Sequence, residues 1–227
     1  MSSNIQNKDV KTLGYVLRRT NYGEADRILN IITPNGKISA MAKGVRKEKS
    51  KLAGSIEMFT LAEYNIHFGK SDFGIVTGVR MRKYHSEIIK DLNKLELAAG
   101  ILKRISSAAE SSDNSEFFDI VDQCFRLMNM SGDLGIVEAW YLLNIKKTMG
   151  EEINFYRDVK GEKLVQEKKY NWNIQEMAFD ESVDGEYDAD DIKLLRLMVS
   201  NDLVVVQRVK LHKDMILRTL RLARMVV

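Results

Sequence analysis

Apolar and polar positions along the chain change their period once, near residue 84. Before it they alternate; after it they recur every three or four residues. Residues 11–19 and 27–33 are short runs rich in apolar and β-branched side chains and read as strands. Pro34-Asn35-Gly36 is a turn signal, because proline presets φ and the Asn-Gly pair accepts positive φ. It predicts a hairpin between the second run and residues 37–42. In a longer run, Met58, Thr60, Ala62, Tyr64, Ile66 and Phe68 share one face, while Glu57, Leu61, Glu63, Asn65 and His67 mostly share the other. Residues 69–74 then turn into a fifth strand over 75–83.

Five strands in about 80 residues leave no room for a crossover helix, so they predict a small closed or partly closed barrel. The OB-fold is the commonest five-stranded barrel with a nucleic-acid habit. Beyond residue 84, Ile88, Leu92, Leu95, Ala99 and Leu102 recur at helical spacing. Further helices are expected over 115–130 and 133–149. The latter is apolar on nearly all sides (Leu134, Ile136, Val137, Trp140, Leu143, Ile145) and should be a core helix. Residues 151–187 are mixed and polar and read as an irregular insert with short strands. Segments 189–200 and 210–226 close a helical bundle, with Leu203 to Val206 ambiguous between strand and helix. The fold class expected is α+β: an OB-fold barrel over 1–83 and a mostly helical domain over 84–227.

Composition and charge sharpen this division. The 227 residues are 44% hydrophobic and 30% charged, as in ordinary soluble proteins. No apolar run reaches bilayer length, the polar N-terminus does not read as a signal peptide, and the single cysteine excludes an internal disulfide. Cytoplasmic residence is the expectation. Residues 1–83 carry 15 Lys/Arg against 7 Asp/Glu, and residues 84–227 carry 20 against 25, so a net charge of +3 hides a basic front and an acidic back.

The basic front concentrates in one segment. Lys43, Arg46, Lys47, Lys49 and Lys51 meet only one acid, Glu48, and are interrupted by Gly44 and Ser50. A positive loop on a small barrel suits a phosphate backbone, although most charge runs are merely solvated. Arg18 and Arg19 extend the track. Such contacts position a strand without reading its sequence, and four of them on a single strand imply a log–log salt slope of roughly −3. Tyr22, Phe59 and Phe73 are candidates for base stacking, while Tyr15, Tyr64 and Phe68 read as barrel packing. Glu24, Asp26 and Arg27 read as an ion pair or a turn-stabilising Asp.

Near the C-terminus, Lys210, Lys213, Arg218, Arg221 and Arg224 fall within about 140° of a helix, beside an apolar seam. That suits an acidic peptide with a hydrophobic end; a solvated face is the alternative. Residues 180–191 loosely resemble a calcium loop, but Asp188 reads better as a helix cap with Asp190 and Asp191 behind it. Cys124 lies on an apolar helical pattern and reads as a buried, inert thiol. The three histidines have no ligand or triad spacing, so neither a metal nor a cofactor is expected and the chain reads as a non-enzyme.

The order of these features carries a resemblance. Tyr15-Val16-Leu17-Arg18-Arg19, then Tyr22-Gly23-Glu24-Ala25-Asp26-Arg27, then the 33–36 turn, then Ala42-Lys43-Gly44-Val45-Arg46 and Lys49-Ser50-Lys51 resemble the RecO family of bacterial recombination mediators. Phe59-Thr60-Leu61 falls where that family has an aromatic-containing strand. The resemblance implies an N-terminal OB-fold, a helical C-terminal domain, and a part in DNA repair, DNA recombination and the response to DNA damage. It implies binding of single- and double-stranded DNA, strand annealing, and nucleoid association. The implied partners are RecR, the acidic tail of the single-strand binding protein SSB (on Lys213, Arg218, Arg221 and Arg224), and indirectly RecF and RecA. Many members carry a four-cysteine zinc site where this chain has residues 151–187, without cysteine or histidine. Packing by Tyr170, Trp172 and Phe179 must replace it. Two other readings stay open: a partner-docking scaffold without annealing, and an OB-type RNA-binding protein.

Overall fold

A computed structural model describes residues 8–227 apart from 49, 51, 112, 113, 131 and 152. The chain divides into two compact units, Met1–Asn129 and Met130–Val227. The first contains strands β1 (Lys8–Tyr22), β2 (Asp26–Thr33), β3 (Gly36–Ala42), β4 (Thr60–Phe68) and β5 (Phe73–Tyr84), then helices α1 (Ser86–Ile89), α2 (Leu92–Ser111) and α3 (Glu116–Asn129). The strands pair in the order β1-β2-β3-β5-β4, and β4 returns to β1, closing a barrel. Only β3 and β5 run parallel. The expected OB-type barrel followed by a helical region is therefore present, with α+β class.

Closure depends on β1 serving two neighbours. Lys8 to Tyr15 pairs with β4, Tyr15 to Tyr22 pairs with β2, and the register shifts between Val16 and Arg18. Such a shift bends the strand and re-aims its side chains. Val16, Leu29, Ile31, Ala40, Ala62, Tyr64, Ile66 and Val76 fill the interior, joined by Val45 and Ile56 from the long β3–β4 connection. Gly14 is required where β1 crosses β2, since a Cβ there would lie 2.4 Å from Ile31 Cγ2.

The three helices belong with the barrel. Tyr15 is buried on the side of β1 away from Val16; its hydroxyl donates to Asp122 Oδ1 of α3 (2.9 Å) and lies 3.0 Å from His85 Nε2. Burial depresses His85 to about 4, so it is neutral. Its Nδ1 has no partner, which assigns the proton to Nε2, donating to Tyr15. Phe59, a stacking candidate by sequence, is buried instead. It adopts φ +62°, its carbonyl accepts from His85 N, and its ring meets Phe125 of α3 edge-on at 5.7 Å. The change of period at residue 84 thus falls inside the first unit, which continues to Asn129.

The second unit holds α4 (Leu134–Thr148), β6 (Tyr170–Asn173), β7 (Ala178–Glu181), α5 (Ala189–Ser200), α6 (Leu203–Val206) and α7 (Lys213–Met225). Helix α4 is buried on most of its surface, as its all-round apolar pattern requires. The ambiguous 203–206 segment is a helical turn. In the insert, Phe155, Tyr170, Trp172, Phe179 and Tyr187 pack ring against ring, with Trp172 and Phe179 edge-on at 5.1 Å. Two side-chain turns flank them: Asn154 Oδ1 accepts from Tyr156 and Arg157 N–H, and Asn173 Oδ1 from Gln175 and Glu176 N–H. Asp188 caps α5 in a reciprocal box with Asp191, as the sequence implied, so those two acids serve the helix rather than a calcium loop. Among the described residues no helix is long and apolar enough to cross a membrane.

Candidate nucleic-acid interface

The basic loop is held by the β1–β2 turn. Asp26 Oδ1 accepts from Gly44 N–H (2.6 Å), Arg46 N–H donates to the Ala25 carbonyl (2.9 Å), and the Arg46 guanidinium donates to the Gly23 carbonyl (3.1 Å). Val45 drops into the barrel core at 2% exposure. Gly23 and Gly44 take φ +55° and +64°, a conformation that a side chain would strain. Two sequence strings eighteen residues apart are thus halves of one structure, and Asp26 is its turn-stabilising acid. On this anchored backbone Lys43, Arg46 and Lys47 are exposed and form no salt bridge among the described residues. Lys49 and Lys51 lie outside the described residues.

Strand register extends the site across the sheet. Arg18 pairs with Asn30, Asn30 with Ser39, and Ser39 with Phe73, giving a lateral row on the outer face of β1, β2, β3 and β5. Ser39 Oγ donates to Asn30 Oδ1 at 3.0 Å. Arg18 is exposed and Phe73 is 38% exposed. The next outward row is Thr20, Ile28, Met41 and Ile75, whose apolar members are half-buried. Tyr22, 55% exposed, pairs with Asp26 at the loop end of the face. Cations that track a backbone beside an aromatic and apolar floor can take a single strand, phosphates on the loop and bases on the sheet. Asn30, Ser39, Ile28, Met41 and Ile75 escaped the sequence reading. Their alternation was visible, but their alignment with Arg18 and Phe73 needs the register.

Residues 7–84 match the family model described as the N-terminal domain of recombination protein O. The DNA repair protein RecO of Dehalococcoides mccartyi strain 195 is 29% identical over 95% of this chain and 87% of its own length. The RecO proteins of Desulfitobacterium hafniense strain DCB-2 (33%) and Alkaliphilus metalliredigens (32%) match 60% and 52% of this chain. In the last two cases the matched region spans about half the relative's length, 50% and 49%. The chain is thus similar to the RecO proteins, through its N-terminal part in the family model and over most of its length in the Dehalococcoides relative.

The other basic residues sit differently. Arg19 points away from the Arg18 row and donates to Glu57 Oε2 at 2.5 Å. On α7, Arg218 forms three hydrogen bonds of 2.8–3.1 Å with Asp191, whose side chain is fully buried. Burial pushes the Asp191 carboxyl up against the pull of Arg218, and Asp191 in turn raises Arg218, fixing its charge. Arg221 pairs with Glu186, and Arg224 grips Glu138 through two bonds of 2.7 Å. Lys213, at the start of α7, is exposed.

Proposed function

We propose that this protein binds single- and double-stranded DNA without reading sequence, anneals complementary strands, and with RecR helps load RecA on DNA coated by SSB. It does so by neutralising and holding strands, with no bond chemistry of its own. The observation that carries this reading is the set of unpaired cations, Lys43, Arg46 and Lys47, on a loop pinned by Asp26 beside the Arg18–Phe73 row. Similarity to relatives named DNA repair proteins supports it. For the SSB tail, Arg221 holds an exposed carboxylate, a partner of small net worth that an incoming acidic peptide can replace, and Arg224 keeps 59% of its side-chain surface open beside the half-buried Glu138. Lys213, Arg221 and Arg224 therefore remain the proposed contacts, while Arg218 is committed to Asp191.

The test is anisotropy of a labelled single-stranded oligonucleotide across a salt titration. The wild type should show a log–log slope of roughly −3. With Lys43, Arg46, Lys47, Lys49 and Lys51 changed to alanine, binding should be lost near physiological salt. Absence of wild-type binding even at low salt would sink the proposal.

A further inference from the structure

A second group of cations lies on a different wall of the barrel. The N-terminal half of β1 and the C-terminal half of β5 both pair with β4, and there Glu63 stands opposite Leu13 on one side and Arg80 on the other. Glu63 takes Lys11 at 3.1 Å and Arg82 at 2.5 Å. These hydrogen bonds, that of Arg82 first, hold its carboxyl below the usual range, so it stays ionised and orients both cations. Lys11 and Arg82 nevertheless keep 66% and 38% of their side-chain surface open. Arg80 and Lys83 are exposed and form no salt bridge among the described residues. Two cations thus hold one carboxylate, Arg80 stands opposite it and Lys83 follows along β5 opposite Leu61, with Tyr84 40% exposed at the strand end.

The strand pairing separates this group from the loop site. β1 presents Arg18 where it pairs with β2 and Lys11 where it pairs with β4. β5 presents Phe73 where it pairs with β3 and Arg80 where it pairs with β4. We propose that the Lys11–Arg80–Arg82–Lys83 wall is a second nucleic-acid track, which holds a second strand while the loop face holds the first. This rests on the DNA-binding reading above. Open cations spaced along a strand suit a flexible polyanion better than a small ligand. Two strands on one barrel meet at the high effective concentration of an intramolecular encounter.

The experiment uses the full chain and oligonucleotides of about ten nucleotides, within the site size of one OB-fold. Stoichiometry comes from sedimentation at low salt, and annealing from quenching between complementary labelled strands. The wild type should take two oligonucleotides. The Arg80→Glu/Lys83→Glu variant should take one with first-site affinity unchanged, which also shows that it is folded. Its annealing should slow on the order of a hundredfold, the lower end of what co-localisation supplies. A wild type that takes only one oligonucleotide, or a variant that anneals at the wild-type rate, overturns the second track and leaves the loop site standing. A wild type that takes none overturns both.

Discussion

The loop after β3 and helix α7 are both rich in lysine and arginine, yet the fold uses them in opposite ways. On the loop, Lys43, Arg46 and Lys47 surround a backbone fixed by Asp26 and keep their charges for solvent. On α7, Arg218, Arg221 and Arg224 are each matched to a carboxylate from another segment. The difference lies in what anchors each element. The loop is tied down mainly through its own amides and Val45, helped by the Arg46 bond to the Gly23 carbonyl, so its cations meet no carboxylate among the described residues. Helix α7 is tied partly through its arginines, and these are graded from Arg218 on a buried acid, through Arg224 on a half-buried one, to Arg221 on an exposed one.

The sharpest way to break this contrast is Arg218→Ala. It leaves Asp191 buried without its cation and should cost about 3 kcal/mol in denaturant unfolding. Because burial already pushes Asp191 up, the deficit should be smaller at pH 4, where the acid can take a proton, than at pH 7. An equal loss at both values would mean that Asp191 carries no buried charge. Next in size, Asp26→Ala removes the acceptor for Gly44 N–H and should cost about 1–2 kcal/mol. It should also weaken oligonucleotide binding although no cation is removed; unchanged affinity would show that the loop needs no anchor. Smallest is Arg221→Ala with Arg224→Ala, expected to lower stability by less than about 1 kcal/mol per pair. A larger loss would move both residues from partner binding to structure.

What could be read from the chain follows the range of the interactions involved. The Pro34-Asn35-Gly36 turn, the alternation through Tyr64 and Ile66, the apolar helix α4 and the cap at Asp188 are local patterns, and they stand where residue spacing put them. The pairing of Arg224 with Glu138 crosses 86 positions and that of Arg218 with Asp191 crosses 27, so no helical wheel could show that the basic stripe was occupied. Arg18 and Arg19 looked equivalent until the register shift at Val16/Arg18 separated them. Phe59 looked open to stacking because alternation puts it on the face of Glu57 and Leu61, and its positive φ breaks that alternation. The loop was legible as charge; that it is clamped by the Asp26 turn was legible only as two strings at a family's spacing.

The double duty of β1 also bears on how the protein is made. Its first residues cannot find their partner until Phe68, which pairs with Lys8, has been synthesised, and Tyr15 must wait for Asp122, 107 positions later. At ribosomal speed that second wait is about 5–20 s. Until β4 is made, 60 positions after Lys8 and so about 3–12 s at that speed, the N-terminal half of β1 has an open edge, the kind that pairs with whatever edge is nearest. Slowing elongation should then raise the aggregated fraction of newly made chains, whereas refolding the finished protein at high dilution should not.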